Sequence, residues 1–228
     1  MARRRSNPLA LAVLECLSEK PMHPYEISST LRTRGKEQSI KLNYGSLYSV
    51  VESLAKHGLI SAQQTTREGR RPERTVYAIT EAGQAELEDW LAELLATSTR
   101  EYTSLEAGLS LAGALPPDEV ARLLDKRCFA LEMQLSALEK AGELGDQLQL
   151  PEIFAIESHY RHALLTAELA FVRRLVGRIR DGSLGGTTLW RRMHELRAAG
   201  MSYEQIMADP VGNLGEEARV LQAPESQN

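Results

Sequence analysis

The first part of the chain spaces its apolar residues as short helices do. Apolar positions recur every three or four residues, which places them on one face of a helix. Asn7-Pro8 and Asn43 are good helix-starting sequences, whereas Gly35 and Gly58 are typical of the position just after a helix. The pattern therefore predicts three helices, over residues 8–18, 25–34 and 43–57.

The period then changes from that of a helix to that of a strand. Residues 59–66 and 74–79 are rich in β-branched side chains and partly alternate in polarity, and the charged residues 67–73 separate them. This predicts an antiparallel hairpin with a long, charged tip. Thr80 then caps a long helix that carries Leu87 and Trp90 on its apolar side. Three helices followed by a hairpin predict a winged helix-turn-helix domain, over residues 1–95.

Two long apolar stripes follow in the second half of the chain. The first lies within residues 118–141, and the second lies within residues 151–181. A helix that is apolar along one side for about eight turns needs a long partner. That partner is either another helix of the same chain or a second copy of the chain. The second stripe consists of Ile153, Ile156, Tyr160, Leu164, Ala167, Phe171, Leu175 and Ile179.

The predicted fold class is mainly α, with the winged helix-turn-helix domain followed by an α-helical dimerisation domain. We assign residues 96–181 to this dimerisation and effector domain and residues 182–228 to an additional tail. Within the tail, Gly200 and Ser202 have the spacing of a turn and a cap between two small helices. Residues after about Ala208 are expected to be disordered.

Composition and charge limit the classes of protein to which the chain can belong. Hydrophobic residues make up 43% of the chain, and no apolar run reaches the roughly 18 residues of a membrane-spanning helix. Residues 1–79 carry 13 basic and 7 acidic residues, a net charge of +6, whereas the remainder carries 14 and 24, a net charge of −10. A basic first third indicates that this part meets a polyanion. The alternative is a chance fluctuation of surface charge.

The two cysteines, Cys16 and Cys128, lie far apart in apolar helical patterns. This favours buried thiols in a reducing, cytoplasmic compartment over a disulfide framework.

The third predicted helix is the candidate for entering the major groove of DNA. Its amino-terminal part carries hydroxyl and amide groups, which bond phosphates and base edges. Arginines at the hairpin tip, and in an arm at residues 3–5, suit the DNA backbone or the minor groove. The alternatives are that Tyr48 packs between helices and that the arginines form a solvated turn. The predicted DNA-binding residues are Lys41, Asn43, Tyr44, Ser46, Tyr48, Ser49, Arg70, Arg71 and Arg74.

These residues resemble a known family. Residues 41–54 read KLNYGSLYSVVESL and are similar to the recognition helix of PadR-type transcriptional regulators. Residues 69–72 and 76–83, which read GRRP and VYAITEAG, resemble the wing of that family and the start of its fourth helix. The resemblance covers about residues 7–95 and persists more weakly over residues 100–180, where it points to the longer subgroup with a carboxy-terminal helical dimerisation domain.

The resemblance implies a homodimer that binds a palindromic operator in double-stranded DNA and usually represses a neighbouring gene. It places the third helix and the wing on DNA, here Tyr44, Ser46, Tyr48, Arg70 and Arg71. Some relatives are released from DNA by phenolic acids or drug-like aromatic molecules that bind near the dimer interface. We accordingly expect a small aromatic effector here too.

Other candidate sites lie outside the third helix and the wing. Apolar sites are often built where helices meet, and the candidate effector-binding residues are Trp90, Phe154 and Tyr160, for which plain core packing is the alternative.

His159 and His162 lie three residues apart, so a metal-responsive sensor is an alternative function, although two ligands are a weak signal. A protein-binding winged-helix adaptor is another. We predict no cofactor and no enzymatic activity, because no nucleophile elbow, P-loop or dinucleotide motif is present.

Overall fold

The computed structural model describes residues 7–41, 43–66 and 74–221 of the chain. The chain divides into two compact units, residues 1–101 and residues 102–228. The fold class is mainly α, as predicted, with a winged helix-turn-helix followed by a helical unit. Within the described residues, no helix is both long and apolar enough to cross a membrane.

The amino-terminal unit contains four helices and two strands. Side-chain caps lie at the starts of all four helices, and the sequence predicted three of these caps. Asn7 Oδ1 accepts a hydrogen bond from Leu9 N at 3.1 Å, Asn43 Oδ1 accepts one from Ser46 N at 2.7 Å, and Thr80 Oγ1 accepts one from Gly83 N at 3.1 Å. These caps confirm the predicted starts. The elements are α1 (Pro8–Glu19), α2 (Pro24–Thr33), α3 (Tyr44–Lys56), β1 (Ile60–Thr66), β2 (Arg74–Ile79) and α4 (Glu81–Ala96).

The core of this unit forms where α1, α2, α3 and α4 converge. α1 is its centre, since Ala10, Val13, Leu14 and Cys16 on that helix are completely buried. Burial raises the pKa of the Cys16 thiol to about 12, and the neighbouring Glu15 carboxylate adds to this effect. A thiol with so high a pKa stays protonated, so Cys16 acts as a small apolar core residue.

The two strands pair antiparallel, with Ile60 opposite Ile79 and a bulge between Ala62 and Gln64. A third segment joins the sheet, which the sequence did not predict. Met22, between α1 and α2, forms an isolated bridge with Tyr77, and both backbone hydrogen bonds of the pair measure 3.0 Å. The base of the hairpin is thereby tied to the helix-turn-helix.

The start of α4 is packed closely against the turn between α3 and β1. Thr80 Oγ1 donates a hydrogen bond to the carbonyl oxygen of Gly58 at 2.7 Å, and Thr80 N donates one to the carbonyl oxygen of Leu59 at 3.0 Å. Gly83 allows this approach, because a Cβ atom at that position would lie 2.0 Å from the carbonyl oxygen of Leu59. Gly58 itself has φ +72°, a left-handed conformation that favours glycine and ends α3.

The carboxy-terminal unit is built on a hairpin of two long helices. The first of them, α6 (Pro117–Gln147), runs past its predicted end at residue 141, because Gly142 and Gly145 weaken a helix without breaking it. It ends where Gln149 takes the left-handed φ of 51°. The second, α7 (Ile156–Arg180), begins later than predicted, after a 3-10 turn at Glu152–Phe154. The elements are α5 (Ser104–Ser110), α6 (Pro117–Gln147), α7 (Ile156–Arg180), α8 (Thr187–Ala198), α9 (Tyr203–Ala208) and α10 (Pro210–Leu214), with further 3-10 turns at Ala112–Ala114 and Glu216–Leu221.

One face of α7 packs on α6. The buried residues of this contact on α7 are Leu169, Val172, Val176 and Ile179, and those on α6 include Leu124, Cys128, Leu131 and Leu135. Ion pairs flank the apolar seam. Arg127 Nε lies 2.6 Å from Glu168 Oε1, Arg173 Nη2 lies 2.6 Å from Glu132 Oε1, and Arg180 pairs with Asp125.

The apolar stripe predicted on α7 is a different face of that helix. Most of it lies in solvent, since Ile156 is 55% exposed, Tyr160 67%, Leu164 53% and Phe171 44%. Of the predicted residues, only Ile179 is buried in the contact with α6. Within the carboxy-terminal unit, no described helix covers this stripe, so a partner for it inside that unit is excluded.

The tail forms an ordered set of short helices. It has its own small core of Leu196, Ile206, Leu214 and Ala218. The predicted cap at Ser202 is confirmed, because its Oγ accepts a hydrogen bond from Gln205 N at 3.1 Å. The predicted disorder after Ala208 is wrong as far as residue 221, because Pro210 starts α10 and a 3-10 turn follows. Residues 222–228 lie outside the described part.

Three side chains of α8 hold this tail on the segment between α5 and α6 and on the first turn of α6. Trp190 Nε1 donates a hydrogen bond to the carbonyl oxygen of Leu115 at 2.8 Å, and His194 Nε2 lies 2.9 Å from that of Gly113. Arg191 Nη2 pairs with Asp118 Oδ1 at 2.8 Å. The tail therefore belongs to the same compact unit as the α6–α7 hairpin.

Candidate nucleic-acid interface

The amino-terminal end of α3 presents a polar surface. The first backbone N–H groups of a helix have no partner within the helix and attract anions. Asn43 satisfies one of them through its contact with Ser46 N, and the exposed Lys41 lies three residues before the first residue of α3. An anionic group such as a phosphate would be stabilised there by the helix dipole as well as by Lys41.

The outward face of α3 is separated cleanly from its buried face. Leu47, Val50, Val51 and Leu54 are buried in the core of the unit. Tyr48, by contrast, is 43% exposed, so it does not pack wholly between helices. The exposed residues therefore follow one stripe, which consists of Gly45, Tyr48, Ser49, Glu52 and Lys56.

The serines of α3 are placed differently. Ser49 lies on the outward stripe and donates a hydrogen bond from Oγ to the carbonyl oxygen of Gly45 at 3.1 Å, which leaves its oxygen able to accept. Ser46 is half-buried at the edge of the stripe. Tyr44 is the first residue of α3, and only its backbone is described.

The predicted arginines of the hairpin are only partly described. Arg70 and Arg71 lie outside the described residues, as does the arm at residues 3–5. Arg74 is the first residue of β2 and pairs with Thr66, and only its backbone is described. A role of these arginines in DNA binding therefore stays a prediction.

Sequence reasoning missed Gly45, Glu52 and Lys56 on this surface, and of these Glu52 lies exposed one turn after Tyr48. Its carboxylate would repel a phosphate backbone. The spacing of Gly45, Tyr48, Ser49 and Glu52 at intervals of three and four residues was sufficient to find it.

The candidate effector residues do not share one site. Trp90 is 2% exposed and belongs to the core of the amino-terminal unit. This agrees with the alternative that Trp90 is a core packing residue. Phe154 lines a cleft of about 600 Å³ between the end of α6 and the start of α7. Tyr160 is 67% exposed on the uncovered face of α7 and is not among the residues that line this cleft.

The two histidines of the metal alternative each face a carboxylate rather than each other. His159 Nδ1 lies 3.8 Å from Glu152 Oε1, and His162 Nε2 lies 3.7 Å from Glu139 Oε1. Among the described residues, no group of three or more His, Cys, Asp or Glu side chains is arranged to hold a metal ion.

The fold of the amino-terminal unit and the polar face of its third helix are those of a winged helix-turn-helix, in which such a helix reads DNA. Residues 13–89 match the model of the transcriptional regulator PadR-like family. The match covers the winged-helix unit, which is thus similar to that of this family. No curated protein is significantly similar to the chain.

Solved structures share the fold at low sequence identity. Bacillus subtilis PadR in complex with operator DNA is 18% identical with a TM-score of 0.61, and the match covers 75% of this chain and 98% of that one. PadR from the same organism in complex with p-coumaric acid is 20% identical with a TM-score of 0.51, and the match covers 74% and 92%. The Vibrio cholerae virulence activator AphA is 13% identical with a TM-score of 0.59, and the match covers 76% and 98%. About a quarter of this chain thus has no counterpart in each of these relatives.

Proposed function

We propose that this transcriptional regulator binds a palindromic DNA operator as a homodimer, represses transcription from it and is released by a small aromatic effector. The observation that carries DNA binding is the outward face of α3, where Lys41, Tyr48 and Ser49 are exposed beside a capped helix start. In the complex of Bacillus subtilis PadR, a similar fold is bound to operator DNA. Because α3 is the helix that a helix-turn-helix inserts in the major groove, its amino-terminal residues are the ones that would reach base edges.

The predicted residues divide into two roles. Lys41 and the arginines Arg70, Arg71 and Arg74 would neutralise phosphates and so supply affinity without regard to sequence. Tyr44 and Ser46, in the first turn of α3, would distinguish one operator from another.

The homodimer is supported by the uncovered face of α7. Full burial of one large apolar side chain stabilises by roughly 1.5–3 kcal/mol. The stripe from Ile156 to Phe171 holds several such side chains that are about half exposed or more. A second copy related by two-fold symmetry would present the same stripe in return, and it would also supply the second reading helix that a palindrome requires.

Repression and release by an effector rest on the family resemblance. One relative of similar fold binds p-coumaric acid, and another is named an activator. The direction of regulation is therefore tested with a reporter gene placed behind the operator. We expect deletion of the protein to raise expression of the reporter, and a fall in expression would assign the opposite role.

The test of DNA binding is selection of bound sequences from a random pool of duplexes by the full chain. We expect a two-fold symmetric site with half-sites about one helical turn apart. On this site, Tyr44→Ala and Ser46→Ala should change the preference among operators, whereas Lys41→Ala should weaken binding to all DNA about equally. Lys140→Ala, on α6, serves as the matched control and should bind as the wild type does.

Recovery of no enriched sequence, together with an affinity for DNA that does not fall with salt, would contradict the proposal and favour a protein-binding adaptor.

The test of the dimer is the molar mass of the full chain in solution by light scattering. The wild type should have twice the mass of one chain, and Leu164→Glu in the uncovered face of α7 should shift the protein to monomer. Tyr203→Glu, at a residue that is exposed on α9, is the control and should leave the mass unchanged. A dimer that persists in Leu164→Glu would show that α7 is not the interface.

A further inference from the structure

A cleft of about 600 Å³ opens at one end of the α6–α7 hairpin. It lies between the last turns of α6, the 3-10 turn at Glu152–Phe154 and the first turns of α7. Its volume is within the range of small-molecule sites, which is about 300–1,000 Å³. The apolar part of its lining includes Leu138, Leu150 and the aromatic ring of Phe154.

The charged part of the lining is acidic. Glu139, Asp146 and Glu152 contribute three carboxylates, and no Lys or Arg lines the cleft within the described chain. The surrounding segment has the same sign, since residues 138–162 contain five acidic and two basic residues. The field in the cleft therefore favours a cation over an anion.

The carboxylates of Glu139 and Glu152 in the cleft are not held by strong ion pairs. The distances from Glu152 to His159 and from Glu139 to His162 are 3.8 Å and 3.7 Å, which exceed the length of a hydrogen bond. Their oxygens can therefore accept hydrogen bonds from a ligand or face its charge. Phe154 is 70% exposed, so its ring face can contact a ligand as well.

We propose that this cleft binds an aromatic organic cation. The positive group would lie between the carboxylates of Glu139 and Glu152, where no Lys or Arg of the described lining opposes the Coulomb attraction. The aromatic part would contact Leu150 and the ring of Phe154, and that ring would also attract the cation through its negative face. The inference rests on the proposed function, because it names the chemical class of the effector.

The proposed ligand differs in charge from the ligand that is bound to one relative of this protein. Bacillus subtilis PadR is bound to p-coumaric acid, whose carboxylate is negative near neutral pH. Three carboxylates in the cleft would repel that molecule. The relative is only 20% identical, so the ligand chemistry of the two proteins can differ within one fold.

The test uses two probes of similar frame and opposite charge, cinnamyltrimethylammonium and p-coumarate, titrated calorimetrically into the full chain at low salt. We expect the cation to bind and the anion not to bind. The Glu139→Gln/Glu152→Gln variant should lose about tenfold or more in affinity for the cation, since one unit charge at contact distance in water changes binding about fivefold. Phe154→Leu should lose about threefold to fivefold, because it keeps apolar volume and removes the ring.

The matched control is Glu143→Gln/Glu204→Gln, which makes the same change in net charge at exposed carboxylates outside the lining of the cleft. It should bind the cation within about twofold of the wild type, because separated surface charges are screened. Tighter binding of p-coumarate than of the cation would overturn the proposal. So would an affinity for the cation that is absent in the wild type or unchanged in Glu139→Gln/Glu152→Gln.

Because calorimetry is done without DNA, its result is independent of the proposed function. Cation binding that depends on Glu139 and Glu152, in a protein that selects no DNA sequence, would support the cleft and refute the operator. Selection of an operator by a protein that binds no cation would refute the cleft alone.

Discussion

Gly83 is the position where a single added carbon has the clearest consequence. It lies in the first turn of α4, and a Cβ atom there would be 2.0 Å from the carbonyl oxygen of Leu59 and 2.8 Å from Cγ1 of Ile79. The first of these contacts is with backbone, which no change of rotamer can relieve. In Gly83→Ala, the start of α4 must therefore move about 1 Å or more away from the turn between α3 and β1.

The size of the destabilisation follows from the contacts that this movement breaks. Thr80 joins α4 to the turn through hydrogen bonds of 2.7 Å to Gly58 and 3.0 Å to Leu59. Each such bond contributes about 0.5–1.5 kcal/mol, and overpacking costs about 1–3 kcal/mol. Alanine is favoured over glycine in a helix by up to about 1 kcal/mol, which offsets part of the loss. We expect Gly83→Ala to lower the free energy of unfolding by about 2–4 kcal/mol.

The assay is urea denaturation followed by circular dichroism. Gly108→Ala on α5 is the matched control, because a Cβ atom there meets nothing within 4 Å. The control should be neutral or stabilised by up to about 1 kcal/mol, as helix propensity alone dictates. If Gly83→Ala were as stable as the wild type or more stable, propensity would outweigh the contact, and the close approach of α4 to Leu59 would be refuted.

Three further predictions concern charge and chemical reactivity in the amino-terminal unit. Glu52→Gln should raise the affinity for any DNA about twofold to fivefold at low salt and less at high salt, measured by fluorescence anisotropy; unchanged affinity would place α3 away from the phosphates. Cys16, whose pKa is raised to about 12 by burial, should not react with a disulfide reagent near pH 8 until the protein is unfolded, and rapid reaction of the native thiol would contradict its burial. The hydrogen bond from Arg34 lowers the pKa of the Glu19 carboxyl. The pair therefore stabilises the fold fully above the usual carboxyl pKa of 4.5, and this contribution is lost as the pH falls through the lowered pKa. The difference in urea midpoint between wild type and Arg34→Met should therefore be larger at about pH 7 than at about pH 3, and a constant difference would refute the pairing.

Much of the amino-terminal unit could be predicted from the sequence because its signals are local. Asn43 and Thr80 cap the helices that begin after them, and Gly58 ends α3 in a conformation that glycine favours. Each of these signals acts within about four residues of the chain, so no knowledge of distant contacts is needed to read it. The bridge between Met22 and Tyr77 is different, because 55 positions separate its partners and neither has a local strand pattern that demands it.

The candidate site was predictable only in part for the same reason. The spacing of Leu47, Val50, Val51 and Leu54 defines the buried face of α3 and hence its outward face. Spacing does not show which apolar aromatic residue lies near which cavity. Trp90 lies on a periodic apolar stripe and is core, whereas Phe154 follows a helix break and lines a cleft. To distinguish a core residue from a cleft residue, one must know how distant segments of the chain pack together.

The helix α7 shows how periodicity can identify an amphipathic helix and still leave its partner open. Leu169, Val172 and Val176 lie on one side and pack on α6, while Tyr160, Leu164 and Phe171 lie on another side, roughly 120° around the helix, and remain uncovered. Both sets obey the same spacing of three and four residues, so spacing alone cannot rank them. A helix with two apolar sides is typical of one that is enclosed by several neighbours. The hairpin provides one neighbour for α7, and the remaining stripe is therefore the strongest physical reason to expect a second copy of the chain beside it.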